Sequence, residues 1–357
     1  KVIGIDKNTT QDQTVYDPTC GSGSLLLKAS SEAPNGLSIY GQEKEVATTA
    51  LCRMNMILHD NATAEIAVGG RSTLSKPAFT DKDDVNKLKT FDFVVANPPF
   101  SLKAWTNGME TPDRYGRFIG LDTPPEKNGD YAFLLHMVKS LKSTGKGAVI
   151  LPHGVLFRGN TEGSIREKLI KKGYIKGVIG LPANLFYGTG IPACIIILDK
   201  ENASARTGIF MIDASKGFKK DGSKNRLRDQ DVHKIVDVFN NNKEILKYSR
   251  MVNVSEIEAN DYNLNIPRYI DGSEEEDLHD LYAHLNGGIP NSDIENLNNF
   301  WEVFPVLKNE LFEASQKDGY SKSKIEANEV KNTILQSDEF IAFRTTTIKN
   351  YEKWKEK

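Results

Sequence analysis

Cysteine is scarce in this chain, and neither sign of charge is in excess. The 357 residues include only Cys20, Cys52 and Cys194, which are far apart and form no Cys-x-x-Cys pair. This usage argues against a zinc site and favours a reducing compartment, so we expect a cytoplasmic protein. Lys and Arg number 46 against 48 Asp and Glu, so any contact with nucleic acid must come from local basic patches.

Metal-ligand patterns and long apolar runs are also missing. The six histidines show no spacing typical of metal ligands, and no metal site is predicted. No apolar run approaches the length of a membrane-spanning helix, and no secretory signal is found. The length suits one large α/β domain with a smaller helical part.

The most informative stretch is Asn97-Pro98-Pro99-Phe100, which directly follows the apolar run Phe91–Ala96. Two adjacent prolines remove two N–H donors and stiffen the chain, and the residue before them is pushed towards an extended conformation. The loop therefore carries one amide, bare carbonyls and an aromatic ring. These groups can bind a planar amine, because the carbonyls accept hydrogen bonds from the amine and the aromatic ring stacks on the face of the amine-bearing ring. Taken alone, the motif is also compatible with a plain tight turn.

A second motif lies upstream, where a predicted strand over residues 14–16 runs into Asp17-Pro18-Thr19-Cys20-Gly21-Ser22-Gly23. Glycines here permit positive φ and a close approach of a ligand to the backbone. Neither G-x-G-x-x-G nor Gly-Lys-Ser/Thr is present, so the turn suits an adenosyl ligand that lacks a pyrophosphate. Glu43 ends the next predicted strand about 20 residues further on, the usual offset for a carboxylate that binds ribose hydroxyls. The plainer alternatives are an ordinary loop and a solvated acid.

These two motifs, in this order, resemble those of S-adenosylmethionine-dependent DNA adenine-N6 methyltransferases of the gamma motif order. More closely, the chain resembles the modification (methyltransferase, M) subunit of type I restriction–modification systems. The resemblance continues through Asp130–Phe133, Gly147–Phe157 and Asn184–Cys194, and it covers roughly residues 14–270. It implies an α/β fold of the Rossmann-like class I methyltransferase type. That fold has a seven-stranded, mainly parallel sheet whose last strand is antiparallel, with helices on both faces; here we expect a C-terminal helical extension as well.

The resemblance also implies a cofactor, S-adenosylmethionine, and a set of site residues. The side-chain oxygen of Asn97 and the carbonyl of Pro98 would accept the two hydrogens of the adenine N6 amine. Phe100 would stack on the target base, which must leave the duplex. The predicted catalytic residues are Asn97, Pro98, Pro99 and Phe100. The predicted cofactor-binding residues are Asp17, Pro18, Thr19, Cys20, Gly21, Ser22, Gly23, Glu43, Ser72 and Asn97.

The chain departs from the family pattern in two places. The family usually has a helical N-terminal domain and a Phe/Tyr-x-Thr-Pro segment that helps hold the methionine end of the cofactor. Neither is found before the first strand, so we expect a fragment with weakened cofactor affinity. Ser72 stands where the family often carries an acid near the cofactor's adenine amine, and it is a weaker acceptor.

Apolar runs alternate with helical patterns, which is typical of βα units. The predicted strands are Thr14–Tyr16, Ser38–Gln42, Glu65–Val68, Phe91–Ala96, Gly147–Pro152, Ile175–Leu181 and Ala193–Leu198, and Gly208–Asp213 is a candidate for one more. The predicted helices are Lys44–His59, Tyr131–Ser143 and Thr161–Lys172. We expect a catalytic domain over residues 1–270 and a C-terminal helical region over 271–357 that docks another subunit.

Two polar stretches are candidates for DNA contact. Ser101–Gly129 follows the proline turn without periodicity and is interpreted as a flap near the target base, with a disordered excursion as the alternative. Ser215–Gln230 is basic and irregular, and a solvated loop is its plainer interpretation. The candidate contacts are Arg114, Arg117, Lys219, Lys220, Lys224, Arg226 and Arg228.

The remaining sequence predicts helices and, through the resemblance, partners. After the acidic run Glu274–Asp277, Ser292-x-x-Glu295 reads as a capping box. It would open a helix with Leu297, Trp301, Phe304 and Leu311 on one side, and a further helical pattern ends at Trp354. The implied partners are double-stranded DNA, the DNA-specificity (S) subunit, the restriction (R) subunit and a second M subunit. Other interpretations are methylation of a protein glutamine amide or an RNA base, or a non-catalytic cofactor-binding scaffold.

Overall fold

The computed structural model describes residues 1–272 and 280–355. Contacts divide the chain into two units, Lys1–Ser273 and Glu274–Lys357. The predicted acidic run over residues 274–277 lies outside the described residues. None of the helices in the described part of the chain is both long and apolar enough to span a membrane.

The first unit is built on a sheet of nine strands. Its elements in chain order are β1 (Thr14–Asp17), β2 (Ser38–Gly41), β3 (Glu65–Ile66), β4 (Phe91–Ala96), β5 (Leu141–Pro152), β6 (Ile175–Gly180), β7 (Ala193–Asp199), β8 (Gly208–Asp213), the hairpin β9 (Lys219–Asp221) and β10 (Lys224–Arg226), and β11 (Ser249–Asn253). The hairpin forms a separate two-stranded sheet, and the main sheet runs in the order β11-β8-β6-β7-β5-β4-β1-β2-β3. β7 is antiparallel to both of its neighbours, whereas β1 to β5 pair in parallel.

The predicted fold class is confirmed for the first seven strands, including the antiparallel seventh. Two more strands extend the sheet beyond β6: β8 pairs with it in parallel and β11 closes the edge in antiparallel register. Some boundaries differ from prediction. β5 begins at Leu141 because Leu141 already pairs with Phe91, so the preceding helix ends at Lys139 instead of Ser143.

Helices cover both faces of this sheet. They are α1 (Ser24–Ser31), α2 (Val46–Leu58), α3 (Asp130–Lys139), α4 (Asn160–Lys171), α5 (Asp229–Asn240) and α6 (Val254–Ala259), with short 3₁₀ turns at His153–Leu156, Ala203–Ala205 and Ile266–Arg268. Leu134 of α3 and Leu169 of α4 are buried with Val94 on one face. Met56 of α2 and Phe239 of α5 are buried with Phe93 on the other. Burial on both faces explains why the central strands read as nearly continuous apolar runs.

The second unit contains more than the predicted helices. Its elements are α7 (Leu281–Asn286), β12 (Ile289–Pro290), α8 (Asn291–Glu295), α9 (Asn298–Trp301), α10 (Pro305–Leu311), β13 (Phe312–Ala314), β14 (Tyr320–Ser323), α11 (Val330–Gln336) and α12 (Asp338–Lys355). The three strands form a small sheet in the order β12-β14-β13, which the sequence analysis did not anticipate.

The single helix predicted to open at Ser292 is wrong, although the pattern ending at Trp354 is confirmed as α12. The chain instead forms three short helices, and Pro305 starts the third of them. Proline fits the first turn of a helix but not its interior, so it separates the segments. Ser292 lies inside α8 rather than before it, which leaves the predicted capping box unformed.

Candidate active site

The two sequence motifs meet at one cavity at the carboxyl edge of the parallel strands. The glycine turn leaves β1 and the proline turn leaves the neighbouring β4, which pairs with β1 in parallel. The cavity encloses about 630 Å³. The predicted site residues that line it are Pro18, Thr19, Gly21, Glu43, Ser72, Asn97 and Pro99, and Trp105 and Phe133 contribute aromatic rings. Ligands of open α/β sheets bind in this position, outside the carboxyl ends of the strands.

Glu43 is held against the glycine turn by backbone donors. Its Oε2 accepts a hydrogen bond from the N–H of Gly21 at 3.1 Å, and its Oε1 accepts one from the N–H of Glu45 at 2.9 Å. Each oxygen keeps a second lone pair for another donor. The carboxylate is therefore fixed at the cavity wall in a position to bind hydroxyls.

The two glycines of the turn have different roles. Gly21 has φ of +53°, and a Cβ there would meet no atom within 4 Å, so its free side faces open space. Gly23 has φ of +86°, and a Cβ there would lie 2.4 Å from Cε of Met56 and 2.9 Å from Sγ of Cys52. Gly23 thus allows the start of α1 to pack on α2, whereas Gly21 leaves room beside the backbone for a ligand.

Several predicted cofactor residues support the cavity without lining it. Asp17 is buried beneath the turn and accepts from the N–H of Thr19 at 2.9 Å. Burial raises the pKa of Asp17 to about 7; the bond from Thr19 opposes this rise and the nearby Glu43 adds to it. Cys20 is also buried, with its Sγ 3.8 Å from that of Cys52. These side chains stabilise the shape of the turn.

Ser72 reaches the cavity because the next residue is tied to the turn. The hydroxyl of Thr73 donates to the carbonyl of Pro18 at 2.6 Å, and both Thr73 and Leu74 are buried. This bond joins the segment after β3 to the segment after β1. It places Ser72 at the wall of the cavity, as the family pattern led us to expect.

The proline turn presents an unpartnered amide. Asn97 is exposed and Pro98 is buried beneath it. No residue in the described ranges forms a hydrogen bond with the Asn97 side chain. After Phe100 the chain enters the left-handed region at Ser101, with φ of +50°. The turn is therefore a fixed scaffold whose polar side chain is free to bind a ligand.

A buried ion pair anchors the far end of this turn. The N–H of Ser101 donates to Oδ1 of Asp130 at 2.7 Å, and Nη2 of Arg158 donates to Oδ2 at 2.6 Å. Asp130 is fully buried, and Arg158 also pairs with Glu162. Sequence analysis noted Asp130 only as part of a family resemblance. Its contact with Ser101 across 29 positions of sequence shows its role in positioning the turn.

An aromatic side chain that the sequence analysis did not assign lies opposite Phe100. Phe186 approaches it with ring centroids 5.7 Å apart and an interplanar angle of 73°. The next residue, Tyr187, is 93% exposed. The signal that could have identified Phe186 is its place in the resembling stretch Asn184–Cys194. The two rings contact each other edge to face beside the proline turn, so Phe186 supports the position of the Phe100 ring.

The predicted DNA contacts fall into three groups. The predicted DNA contact of Arg117 is wrong. Its side chain is 1% exposed and pairs with Asp113 at 2.5 Å, so it cannot reach DNA. Lys224 is half-buried and bonds two backbone carbonyls, whereas Arg228 is exposed but pairs with Asp231. The remaining candidates are exposed: Arg114, which bonds Asn86, and the hairpin residues Lys219, Lys220 and Arg226.

Metal ligands and disulfides do not contribute to this site. Within residues 1–272 and 280–355, no cluster of three or more His, Cys, Asp or Glu side chains could hold a metal ion. Cys20, Cys52 and Cys194 are free and buried. Burial raises the pKa of the Cys194 thiol, so that side chain behaves as a small apolar group.

Comparison with known proteins agrees with this geometry. The family model of the N-6 DNA methylases matches residues 1–278. The methylase subunit of the type I restriction enzyme MpnII from Mycoplasma pneumoniae is 35% identical over 286 residues, which cover 78% of this chain and 52% of that protein. The corresponding MjaVII subunit from Methanocaldococcus jannaschii is 33% identical and covers 77% of this chain and 48% of that protein.

A solved structure shows the same relationship. The methyltransferase subunit of the type I restriction–modification system from Streptococcus thermophilus superposes with a TM-score of 0.66 at 41% identity. This match covers 76% of this chain and 56% of that one. The chain spans about half the length of the curated relatives that it matches. Since the family model matches most of its length and a relative is 35% identical over 78% of it, the chain belongs to the N-6 DNA methylase family.

Proposed function

We propose that this chain transfers a methyl group from S-adenosylmethionine to the N6 amine of adenine in DNA, as the modification subunit of a type I restriction–modification complex. One observation carries the proposal: the proline turn, with its unpartnered Asn97 amide, opens into the same cavity as Gly21 and Glu43. A methyl donor and an amine acceptor would therefore meet at Asn97. The sequences of the family and of the relatives support the same reaction.

The residues at the cavity fit the adenosyl part of the cofactor. Glu43 offers acceptor oxygens for ribose hydroxyls, and the open side of Gly21 leaves room for the ligand beside the backbone. Thr19 adds a buried hydroxyl that makes no hydrogen bond of ordinary geometry with any described residue. Ser72 offers a further acceptor at the same wall. When bound, the cofactor supplies a methyl group that its positive sulfonium makes electrophilic.

The chain's own residues would make the adenine amine reactive. The N6 lone pair is delocalised into the ring, which makes the amine a poor nucleophile. Asn97 Oδ1 and the carbonyl of Pro98 would accept its two hydrogens, which favours a pyramidal nitrogen with a localised lone pair. No strong base is required before the transfer, because the methylated amine is a cation and a strong acid, which then releases one of its two hydrogens to solvent. Most of the rate gain comes from positioning and electrostatics. Phe100 would stack on the extruded base, and Phe186 would support the Phe100 ring by its edge-to-face contact.

The test is transfer of labelled methyl groups from the cofactor to an adenine-containing duplex, with the specificity subunit added. The matched control is the same duplex with its target adenines already methylated at N6, which should accept almost no label. Equal incorporation of labelled methyl groups into both duplexes would contradict adenine N6 as the acceptor. Transfer to a glutamine-containing protein or to RNA in place of DNA would establish one of the alternative substrates, and no transfer to any acceptor would favour a scaffold.

The hairpin β9–β10 is the proposed DNA-phosphate contact of this chain. Lys219, Lys220 and Arg226 are exposed. The one ion pair that they form with a described residue, Arg226 with Asp221, is long at 3.9 Å and solvated. We expect each replacement of these cations by Gln to weaken DNA binding and to lower the slope of log affinity against log salt by about one. Binding titrations at several salt concentrations measure both quantities.

A matched control for these variants is Lys171→Gln on α4, which removes one exposed cation that pairs with Glu167. Its salt slope should equal that of the unmodified protein. Equal slopes for the hairpin variants and the control would show that DNA phosphates do not contact the hairpin.

The end of α12 is the proposed contact with the specificity subunit. The first turn of α12 packs on α10 of the same unit. There Glu339 accepts hydrogen bonds from the N–H groups of Val306 at 3.1 Å and Leu307 at 2.9 Å. Further along, Ile348, Tyr351 and Trp354 are 47%, 58% and 71% exposed. Large apolar side chains in such a patch are typical of an interface.

Removal of residues 345–357 should leave a folded protein that no longer co-purifies with the specificity subunit. The cut spares the contact of Glu339 with α10, so it preserves packing within the unit. The double substitution Tyr351→Ala and Trp354→Ala changes the chain less than the truncation does, and it should also abolish co-purification with the specificity subunit. Aggregation of both variants would assign these side chains to the chain's own core, and unchanged assembly would place the docking surface elsewhere.

A further inference from the structure

The basic hairpin is tied to the loop that carries Phe186. We call residues 183–191 the aromatic loop. Lys224 donates through Nζ to the carbonyls of Phe186 at 2.7 Å and Thr189 at 3.1 Å. Asn225 donates through its backbone N–H to the carbonyl of Asn184 at 3.0 Å and through Nδ2 to that of Ala183 at 2.8 Å. Four hydrogen bonds from two adjacent residues therefore join the hairpin to the loop.

Apart from these four bonds, the aromatic loop is held by Leu185 and Phe186, which pack partly buried against the apolar core. Its remaining hydrogen bonds within the described residues are internal, from the N–H of Asn184 to Gly190 and from the N–H of Ile191 to the Thr189 hydroxyl. Asn184 and Gly188 have positive φ, and most of the loop is exposed. A segment with exposed backbone and few hydrogen bonds to the rest of the protein opens easily. The position of the Phe186 ring against Phe100 thus depends on the bonds from the hairpin together with this packing.

We infer that Lys224 and Asn225 are positioning residues for the target-base pocket, and that DNA binding at the hairpin is coupled to the order of that pocket. The inference rests on the proposed function. The same hairpin that holds the aromatic loop presents Lys219, Lys220 and Arg226 to solvent. Phosphates bound to those cations would order the hairpin and, through the four bonds, the loop. Because the hairpin and the aromatic loop would become ordered together, contact with the DNA phosphates and capture of the target base would strengthen each other.

Lys224 is therefore a different kind of cation from its neighbours on the hairpin. Its ammonium has two carbonyl partners inside the protein, and a lysine has three donors in all. Loss of this ammonium should loosen the aromatic loop in the free protein, whereas loss of Lys220 should weaken the attraction to DNA and leave the loop of the free protein unchanged. The two roles separate in experiment, because one changes loop order in the free protein and the other does not.

The first test is hydrogen exchange on the free protein. Lys224→Met keeps the apolar stem and removes the donors, so we expect amide exchange in residues 183–191 to rise about tenfold. Lys200→Met is the matched control, because Lys200 also donates to a backbone carbonyl, that of Leu141 at 3.0 Å. Lys200 directly follows Asp199, whose strand partner is Lys146. This pair lies towards the end of the strands opposite the site. Lys224→Arg should restore protection, and Asn225→Ala should give a smaller rise.

The second test is methyl transfer in a single turnover at saturating DNA, with the assembled complex. Lys224→Met should slow transfer about tenfold, while cofactor affinity and the rate of Lys200→Met stay at wild-type values. Unchanged exchange in the aromatic loop would overturn the inference, and so would faster exchange with an unchanged rate. If the wild-type complex methylates no DNA, the proposed function fails, and with it the pocket-positioning role of Lys224 and Asn225. The exchange data would still report separately whether the bonds hold the loop.

Discussion

Asn97→Ala is expected to reduce methyl transfer about 10²- to 10³-fold in a single turnover, with cofactor binding nearly intact. The Asn97 amide has no partner among the described residues, so its removal should not disturb the scaffold. What disappears is an acceptor aimed at the amine, in a site where positioned dipoles dominate the rate. Calorimetry for the cofactor and a rapid-quench methylation assay in the full complex measure the two quantities separately.

Asn97→Asp and Asn97→Leu provide matched comparisons at the same position. Aspartate keeps the acceptor oxygens, whereas leucine keeps a similar volume without any acceptor. We expect Asn97→Asp to retain more activity than either apolar variant. Wild-type turnover by Asn97→Ala, or equal rates for all three variants, would show that the amide oxygen does not act on the amine.

Gly21→Val is expected to weaken cofactor binding about 100-fold or more. The residue has φ of +53°, which a β-branched side chain adopts only with strain, and its free side opens towards the cavity. Strain of about 1–3 kcal/mol lowers stability. The valine side chain also fills the space that the ligand needs, and each 1.4 kcal/mol of lost binding energy is a factor of ten in affinity. Calorimetric titration with S-adenosylmethionine measures the change.

The matched control for backbone strain is Gly4→Val. Gly4 also has positive φ, at +82°, and a Cβ there would meet no atom within 4 Å. It shares a surface cleft with Lys146 and Asp199, at the edge of the sheet away from the site. Gly4→Val should therefore bind the cofactor normally even if it is somewhat less stable. Equal affinities for the two variants would place the cofactor pocket elsewhere.

Much of the catalytic unit was predictable because its signals are local. Proline removes a donor at its own position, and apolar runs of strand length mark buried strands wherever they occur. These rules placed the proline turn after β4 and the glycine turn after β1, and the family resemblance added the antiparallel seventh strand. The same rules failed in the C-terminal unit, where apolar residues at helical spacing suggested one helix across Pro305. There, Pro305 begins a separate short helix, and the pairing of β12, β13 and β14 joins flanking segments that the periodicity does not reveal.

The roles of the charged side chains needed the folded chain. Arg117 and Lys219 are equivalent in sequence terms, as basic residues in polar stretches, yet one is buried against Asp113 and the other is exposed. Lys224 reaches the carbonyl of Phe186 across 38 positions of sequence, and no local pattern encodes that contact. Residue type, spacing and the family resemblance thus predicted the fold and the places of the two turns, because local backbone geometry follows from neighbouring residues. Long-range packing decided which cations face solvent and which aromatic ring lies opposite Phe100. The reason is that segments distant in the chain determine the burial and the partners of each side chain.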